Sequence, residues 1–350
     1  MKIAQIAPLI ESVPPKLYGG TERVVHYLTE ELVRQGHDVT LFASGDSITT
    51  ADFVPCTDGA LRLNPRVQDP LPYYMIMLDG VRRRASEFDV LHFHMDCLHF
   101  PLFREISSRT VTTLHGRQDM PDLLALYREF DDMPLVSISH YQRRPMPPVR
   151  WAGTVYHGMP AHNYPFAGSP NGDYLAFLGR ICPEKRPDRA IEIAKRAGVK
   201  LKIAAKVDRV DQVYFEEEIQ PLLSHPLVEF VGEIGEREKG AFLGGARAVL
   251  FPIDWPEPFG LVMIEAMACG TPVIAYRSGS VPEVVEHGVS GFIVEDADQA
   301  VDAVRHLGAL DRLRVRERFE RRFSVKRMAE DYVAIYRALG QPEELPVQAA

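Results

Sequence analysis

The sequence predicts an α/β protein built from two doubly wound, Rossmann-like domains that face a central cleft. Three observations predict this fold. Strand and helix patterns alternate along the chain, the alternation restarts after a proline-rich segment, and 350 residues suit two domains of ordinary size. In open parallel sheets, ligands bind beyond the carboxyl ends of the strands. We therefore expect the chemistry to lie in the cleft, on loops contributed by both halves.

The first half opens with a strand, a loop, a helix and a second strand. The segments are KIAQIAPL, PPKLYGG, TERVVHYLTEELVRQG and HDVTLFASG, and the helix places Val24, Val25, Leu28 and Leu32 on one face. This order of elements is the beginning of a parallel sheet. FDVLHFH, RTVTTLHG and MPLVSIS then predict further buried strands.

The second half begins after RRPMPPVRWAG and repeats the alternation. It contains the strand DYLAFLGR, the helix RPDRAIEIAKRAG, and the strands VKLKIAAKV, LVEFVGEI, ARAVLFPI and TPVIAYRSG. The last helical pattern, SVKRMAEDYVAIYRALG, is amphipathic, and the residues after it read as a frayed tail. We predict a first domain at 1–157, a second at 158–323, a final helix at about 324–340 and a tail at 341–350.

Composition limits the classes of partner. The formal net charge of -8 argues against nucleic acid, and no apolar run is long enough to span a bilayer. The N-terminal residues read as a first strand rather than a signal peptide. The scattered cysteines contain no C-x-x-C pair, so neither disulfides nor structural zinc are expected. We expect a cytoplasmic protein, and leave open contact with the inner face of the membrane.

Two glutamates, Glu257 and Glu265, bracket seven uncharged residues in EPFGLVMIE. On one helix, residues eight apart are separated by about 12 Å, too far for a dyad that acts on one bond. Prolines flank Glu257, and a residue before proline avoids the helical region, so we expect Glu257 in a loop. Glu265 is expected on the helix that follows Gly260. The pair is better suited to holding separated groups of an elongated, hydroxyl-rich ligand.

The residues between and before these glutamates predict an anion site. Gly260 stands just before the predicted helix, whose free N–H groups and positive dipole end suit a phosphate. Arg180 and Lys185, in LGRICPEKRPD, follow the first strand of the second half. Two cations at a strand end could neutralise a diphosphate without a metal. The predicted site therefore contains a carboxylate, an anion site and a second carboxylate in that order. A sugar nucleotide has matching groups in the same order: hexose hydroxyls, a diphosphate and ribose hydroxyls.

The chain resembles the glycosyltransferases of family 4, which are retaining enzymes of the GT-B fold. The segments that carry the resemblance occur in order and cover most of the chain: YGGTERVVHYLTEELVRQGHDVTLFA, DVLHFH, TLHG, LGRICPEKRPDRAIEIA, VEFVGEI and EPFGLVMIEAMACGTPVIAYRSGSVPEVVEHGVSGFIVE. Each motif alone is weak, and the ordered set is specific. The resemblance also implies that the final helix crosses back onto the first domain.

The resemblance implies a role for each matched residue. The donor diphosphate would meet Arg180, Lys185 and the backbone N–H groups of Leu261 and Val262, after Phe259 and Gly260. Glu265 would bind the ribose and Glu257 the hexose, while the main chain near Ile234 would meet the base. Gly19 and Gly20 would let their loop approach the diphosphate. His115 would lie beside the transferring sugar. The implied catalytic residues are His115, Arg180, Lys185 and Glu257.

The implied reaction transfers a hexosyl group, with retention, from a nucleotide-diphospho-sugar to a hydroxyl acceptor. UDP- or GDP-sugars are the expected donors, and no metal or other cofactor is expected. The acceptor (a glycan, a lipid-linked molecule or a small molecule) is not identified, and neither is the oligomeric state. Variable loops at 11–20, 68–80 and 116–130 would read the acceptor. A nucleotide-sugar epimerase or hydrolase, and a non-catalytic sugar-nucleotide-binding protein, are the alternatives.

Two departures and two competing interpretations remain. Lys16 lies one position further from the glycine pair than in glycogen-synthase-like relatives, and Ala204, Ala205 and Lys206 stand where many relatives have a glycine-rich turn. PPKLYGGTERV lacks the G-x-G-x-x-G spacing of an NAD-dependent oxidoreductase. HFHMDCLH could be a metal site, because His92, His94, Asp96, Cys97 and His99 are suitable ligand types. A buried strand whose alternate residues face the cleft is the favoured interpretation of that segment.

Overall fold

The computed structural model describes residues 1–16, 19–62 and 64–339. Within these ranges the first half of the chain forms a seven-stranded sheet in the order β3-β2-β1-β4-β5-β6-β7. Every pairing in it is parallel. Its strands are β1 (Lys2–Ile6), β2 (Asp38–Ser44), β3 (Asp52–Thr57), β4 (Val90–Phe93), β5 (Thr110–Thr113), β6 (Leu135–Ser137) and β7 (Trp151–Thr154).

The second half forms a six-stranded sheet in the order β10-β9-β8-β11-β12-β13, also parallel throughout the part that the structure describes. Two parallel sheets with helices in most of the connections between strands are the architecture that the alternating pattern predicted. The strands are β8 (Tyr174–Arg180), β9 (Lys200–Lys206), β10 (Val228–Gly232), β11 (Ala248–Phe251), β12 (Val273–Tyr276) and β13 (Gly291–Val294).

Helices connect the strands in both halves. Those of the first half are α1 (Gly20–Arg34), α2 (Leu71–Arg84), α3 (Phe100–Phe103) and α4 (Pro121–Glu129). The rest of the chain contributes α5 (Pro187–Ala197), α6 (Gln212–Tyr214), α7 (Glu236–Gly245), α8 (Leu261–Ala268), α9 (Val281–Val284), α10 (Ala297–Arg305), α11 (Arg312–Phe323) and α12 (Val325–Ala338).

Helix α1 shows how the sequence pattern becomes packing. The predicted apolar face is buried, with Val24, Val25, Leu28 and Leu32 at most 1% exposed. The helix ends at Arg34, and Gly36 adopts a φ of 83° two residues later, a conformation that favours glycine. Burial of this face fixes the helix against the first sheet, and its N-terminus therefore lies at the cleft.

The last helix, α12, packs on the first half although it follows the second sheet in sequence. Ser324 caps its N-terminus through a bond from the backbone N–H of Arg327, and a bridge joins Met159 to Ser324. Tyr332 and Tyr336 are buried and hydrogen-bond to residues of β1, β4 and β5. The helix therefore ties the end of the chain to the middle of the first sheet.

The change from one sheet to the other falls between the end of β7 at Thr154 and the start of β8 at Tyr174. The predicted domain boundary at 157/158 lies in this interval, and as a boundary between independent domains it stays a prediction. The predicted tail at 341–350 lies outside the described residues, as do Leu17 and Tyr18 of the glycine-pair loop.

Candidate active site

A cavity of about 430 Å³ lies between the facing carboxyl ends of the two sheets. The first half contributes the loops after β1 and β5, and the second half contributes the residues after β8, β9 and β11. All of the residues that the sequence placed in the site line this cavity: Gly19, Gly20, His115, Arg180, Lys185, Ile234, Glu257, Phe259, Gly260, Leu261, Val262 and Glu265. Their individual roles remain proposals.

At one end of the cavity, Lys185 and Glu257 are in direct ion-pair contact. The indole N–H of Trp255 donates to the same carboxylate oxygen, Oε2, at 3.1 Å. The ammonium group of Lys185 also lies 4.9 Å from the ring centroid of Trp255. Glu257 lies in the loop before α8, as its neighbouring prolines predicted, and is 8% exposed. Lys185 and Trp255 therefore hold its carboxylate in one orientation.

At the other end, Glu265 lies on α8 and is 1% exposed. Lys239 of α7 places its ammonium nitrogen 2.8 Å from Oε1 of Glu265, and the hydroxyl of Tyr164 donates to the same oxygen at 3.1 Å. The two glutamates have separate partners and separate supporting elements. They do not form a shared acid–base dyad, which agrees with the argument from their spacing.

Helix α8 begins between these two glutamates. Gly260 precedes it with a φ of 82°, in the left-handed region. A Cβ at this position would lie 2.7 Å from Cε of Met263 and 3.1 Å from Cζ of Phe251. The first N–H groups of a helix have no partner within the helix, so Leu261 and Val262 present donors to the cavity. This arrangement suits an anion between the two carboxylates.

The cationic side of the cavity is lined by Arg180 and Lys206. Arg180 lies 3.5 Å from Asp211 and 3.7 Å from Asp208. Lys206 contacts Asp208 at 2.9 Å, and Arg62 reaches the same carboxylate from the first half at 3.0 Å. These cations and acids form one network across the cleft. An incoming diphosphate would share the cations with Asp208 and Asp211.

The glycine-pair loop approaches α8 across the cleft. A Cβ on Gly20 would lie 3.5 Å from Cδ1 of Leu261, and one on Gly19 would lie 2.7 Å from Cβ of Pro15. The backbone of this loop therefore lies next to the start of α8, and Gly19 has no room for a side chain. Close approach of backbone to ligand is the use that the sequence predicted for the pair.

Several cavity residues were missed by the sequence analysis. Lys206 ends β9, Lys239 lies on α7, and His157 is 4% exposed and stacks on His115 with ring centroids 5.3 Å apart. Glu22 is also buried, and burial raises its pKa to about 7. Glu22 precedes the buried Val25 by three residues, and this helical spacing was the available signal for its burial.

The alternative metal site is not supported by the described residues. His92 hydrogen-bonds to Thr113 and Tyr336, and His99 bonds to Thr112 at 2.8 Å while it stacks on a phenylalanine. Among residues 1–16, 19–62 and 64–339, no group of three or more His, Cys, Asp or Glu side chains could hold a metal ion. The expectation that the reaction needs no metal stays a prediction.

Comparisons with known proteins define the class of this protein. Residues 18–164 match the model "Glycosyltransferase Family 4" and residues 166–322 match "Glycosyl transferases group 1". Together the two matches span most of the chain and support a family-4-like glycosyltransferase, and the chain is a transferase with a GT-B fold. This confirms the family, the fold and the enzyme class that the sequence predicted.

The relatives include a glycogen synthase of Mycobacterium tuberculosis, 26% identical over 95% of this chain and 96% of that protein. Among solved structures, sucrose-phosphate synthase from Thermosynechococcus elongatus has a TM-score of 0.77 at 20% identity, covering 97% of this chain and 98% of that one. Anabaena Alr3699/HepE in complex with UDP and glucose has a TM-score of 0.73 at 19% identity, covering 97% and 100%. At these identities the solved structures show the fold alone.

The described part of the chain contains no helix that is both long and apolar enough to cross a membrane.

Proposed function

We propose that the protein transfers a hexosyl group, with retention of anomeric configuration, from a nucleotide-diphospho-sugar to a hydroxyl acceptor. The single observation that carries the proposal is the order of groups along the cavity. The Lys185–Glu257 pair, the N-terminus of α8 and the Lys239–Glu265 pair follow one another. A hexose, a diphosphate and a ribose of one donor would meet these three groups in that order.

UDP-sugars are the first donors to test. A structural neighbour, Anabaena Alr3699/HepE, was solved with UDP and with UDP-glucose. The glycogen synthase relative supports a glucosyl donor. GDP-sugars are the second donors to test, because the proposed base contact uses the main chain near Ile234 rather than an identified side chain.

In the proposed mechanism, the protein supplies orientation and charge. Arg180, Lys185 and Lys206 would stabilise the charge that develops on the leaving diphosphate, a role that metal ions fill in other transferases. Glu257 would hold hexose hydroxyls, since its carboxylate is already fixed by Lys185 and Trp255. The leaving phosphate would help to deprotonate the acceptor in a front-face attack. Holding donor and acceptor in line lowers the entropic part of the barrier.

A second cavity, of about 310 Å³, is the proposed entrance for the acceptor. Arg117, Gln118 and Asp119, in the loop predicted to read the acceptor, line it together with Pro256 and Pro258. These prolines flank Glu257, and Pro258 lines both cavities. An acceptor bound here would approach the hexose end of the donor.

Acceptor-dependent release of nucleoside diphosphate tests the proposal, with the product's anomeric configuration read by NMR. The panel contains UDP- and GDP-sugars against mono- and oligosaccharide, polyol and lipid-linked acceptors. A transferase releases the diphosphate faster with acceptor and retains the configuration of the donor. If nucleoside diphosphate is released at the same rate with and without every acceptor, a hydrolase is favoured. Conversion of the donor into another sugar nucleotide would favour an epimerase. Binding of the donor without turnover would favour a non-catalytic protein. EDTA should leave the rate unchanged if the three cations replace a metal.

A further inference from the structure

A buried hydrogen-bonded chain lies behind His115 and runs through the first sheet to the last helix. Gln5 of β1 stands opposite His92 of β4 in the register of these two strands. His94 follows β4, and Tyr336 of α12 completes the set. All four side chains are at most 3% exposed. Buried polar groups of this kind must satisfy one another, so the directions of their bonds can be worked out.

The direction follows from Gln5, whose Oε1 can only accept. Oε1 lies 2.7 Å from Nε2 of His94, so His94 carries a proton on Nε2. Burial holds the pKa of His94 well below its ordinary value, so the ring is neutral and its Nδ1 is bare. Nδ1 of His94 lies 2.9 Å from Nε2 of His115. His115 must therefore donate from Nε2, which leaves its own Nδ1 as an acceptor.

In the structure the amide of Gln5 is oriented with Nε2 towards Tyr336 and Oε1 towards His94. Nε2 of Gln5 donates to the hydroxyl of Tyr336 at 3.2 Å, and this hydroxyl lies 2.7 Å from Nδ1 of His92. Nε2 of His92 then lies 2.8 Å from Oγ1 of Thr113. Rotating the amide by half a turn would reverse every one of these bonds and would place a proton on Nδ1 of His115. The amide of Gln5 is therefore the group that selects the tautomer.

The other ring nitrogen of His115 is unused. His115 lines the larger cavity, yet Nδ1 is buried and has no hydrogen-bond partner among the described residues. Burial lowers the pKa of His115 to about 3, so the ring is neutral near pH 7. A buried acceptor without a donor is unfavourable until a ligand supplies one. A sugar hydroxyl in the cavity is a suitable donor.

We propose that Gln5 and Tyr336 are positioning residues that hold His115 as its Nε2-protonated tautomer, so that Nδ1 accepts a hydrogen bond from a hydroxyl of the transferring hexose. The tautomer rests on this orientation of the Gln5 amide and is independent of the proposed function. The hydroxyl partner rests on the proposed function. The site then selects donors whose hydroxyl at this point can donate, and it disfavours a fluorine, which can only accept.

Long-range ¹H–¹⁵N NMR of the full chain identifies the tautomer of each histidine without any ligand. The signals that disappear in the His115→Gln variant are those of His115. The wild-type spectrum should show protonated Nε2 and bare Nδ1 for His115. Gln5→Leu and Tyr336→Phe should each shift His115 towards a mixture of tautomers. Tyr74→Phe is the matched control, because it removes a buried hydroxyl that accepts from the backbone N–H of Leu9 at 3.1 Å, outside the chain behind His115. Its His115 spectrum should match the wild type.

A proton on Nδ1 in the wild-type spectrum would overturn the proposal, even if a variant failed to fold. An unchanged tautomer in Gln5→Leu and Tyr336→Phe would also overturn it.

Deoxyfluoro analogues of the donor hexose test the hydroxyl partner. One of them should raise KM by roughly tenfold against the parent donor in the wild type, and Gln5→Leu should reduce that difference. Equal KM values for every analogue would overturn the sugar contact and leave the tautomer result standing. Absence of binding by any nucleotide sugar would instead overturn the proposed function, and the NMR result would still decide the tautomer.

Discussion

Lys239 and Glu265 form an ion pair of 2.8 Å at the buried end of the larger cavity. Their side chains are 15% and 2% exposed, so the pair is largely shielded from water. Glu236, one turn before Lys239, contacts Lys239 at 3.4 Å and Arg23 of α1 at 2.6 Å. Burial alone would raise the pKa of Glu236, but the charges of Lys239 and Arg23 outweigh it and lower that pKa. Charges from both halves therefore support the carboxylate proposed to bind ribose.

Lys239→Met tests whether this support matters. Removing the lysine leaves the carboxylate of Glu265 buried without its cation, and we expect a loss of about 3 kcal/mol in the free energy of unfolding. Lys202→Met is the control, because its ion pair with Glu229 is more exposed and should contribute less than about 1 kcal/mol. Urea unfolding of both variants measures the difference. Equal losses in the free energy of unfolding would show that the buried ion pair contributes no more to stability than the exposed one.

Arg180→Ala should lower kcat at saturating donor by roughly a hundredfold, because it removes charge stabilisation at the leaving diphosphate. Arg180→Lys should fall between this variant and the wild type. Arg277→Ala, which removes an exposed arginine paired with Glu295, is the control and should leave kcat unchanged. Unchanged turnover in Arg180→Ala would remove Arg180 from the catalytic set.

Gly260→Ala and Gly288→Ala separate backbone strain from crowding. Both glycines have positive φ, 82° and 76°, but an added Cβ would meet close neighbours only at Gly260, since nothing lies within 4 Å of that position at Gly288. Strain alone should cost about 1 kcal/mol at Gly288, and crowding by Phe251 should raise the cost at Gly260 to about 2–3 kcal/mol. Unfolding measurements give the stabilities, and titration with donor should show weaker binding only for Gly260→Ala.

Glu22 predicts a pH dependence of stability. Burial raises its folded-state pKa to about 7 from an ordinary 4.5, so the folded protein holds this proton more tightly than the unfolded chain does. Stability from this group is therefore greatest below about pH 4.5 and is lost as the pH rises towards 7. Glu22→Gln should gain about 2–3 kcal/mol relative to the wild type between pH 4.5 and pH 7.5.

Unfolding by urea across this pH range measures the effect, and Glu217→Gln, at an exposed position, should show no such trend. A constant difference between Glu22→Gln and wild type would contradict the assignment.

The sequence predicted the elements whose signals are local. The prolines around Glu257 and the glycine before α8 specify a loop followed by a helix, and the structure has both. Alternation of apolar strands and amphipathic helices predicted two parallel sheets, because each element must bury one face. These features depend on residues that are neighbours in the sequence, so they can be predicted from one sequence alone.

The side chains that contact the site residues come from distant positions in the sequence, and no local sequence pattern predicts them. Tyr336 meets His92 across 244 positions of the chain. Lys239 stands in a helix whose start, EREKG, reads as an ordinary solvated surface, and only the fold brings it to Glu265. Lys206 was read as a departure from a glycine-rich turn, whereas it belongs to the cation network beside Arg180. These contacts need the tertiary fold.

Calorimetric titration with UDP-glucose, UDP and GDP-sugars is the most direct test of the central claim, that one sugar nucleotide spans the cavity from Glu257 to Glu265. We predict saturable binding of at least one nucleotide sugar to the wild-type protein. We also predict affinity at least roughly tenfold weaker in both Glu257→Gln and Glu265→Gln, with the bare nucleoside diphosphate affected only by Glu265→Gln. Absence of binding by every nucleotide sugar, or equal affinity in all three proteins, would contradict the claim.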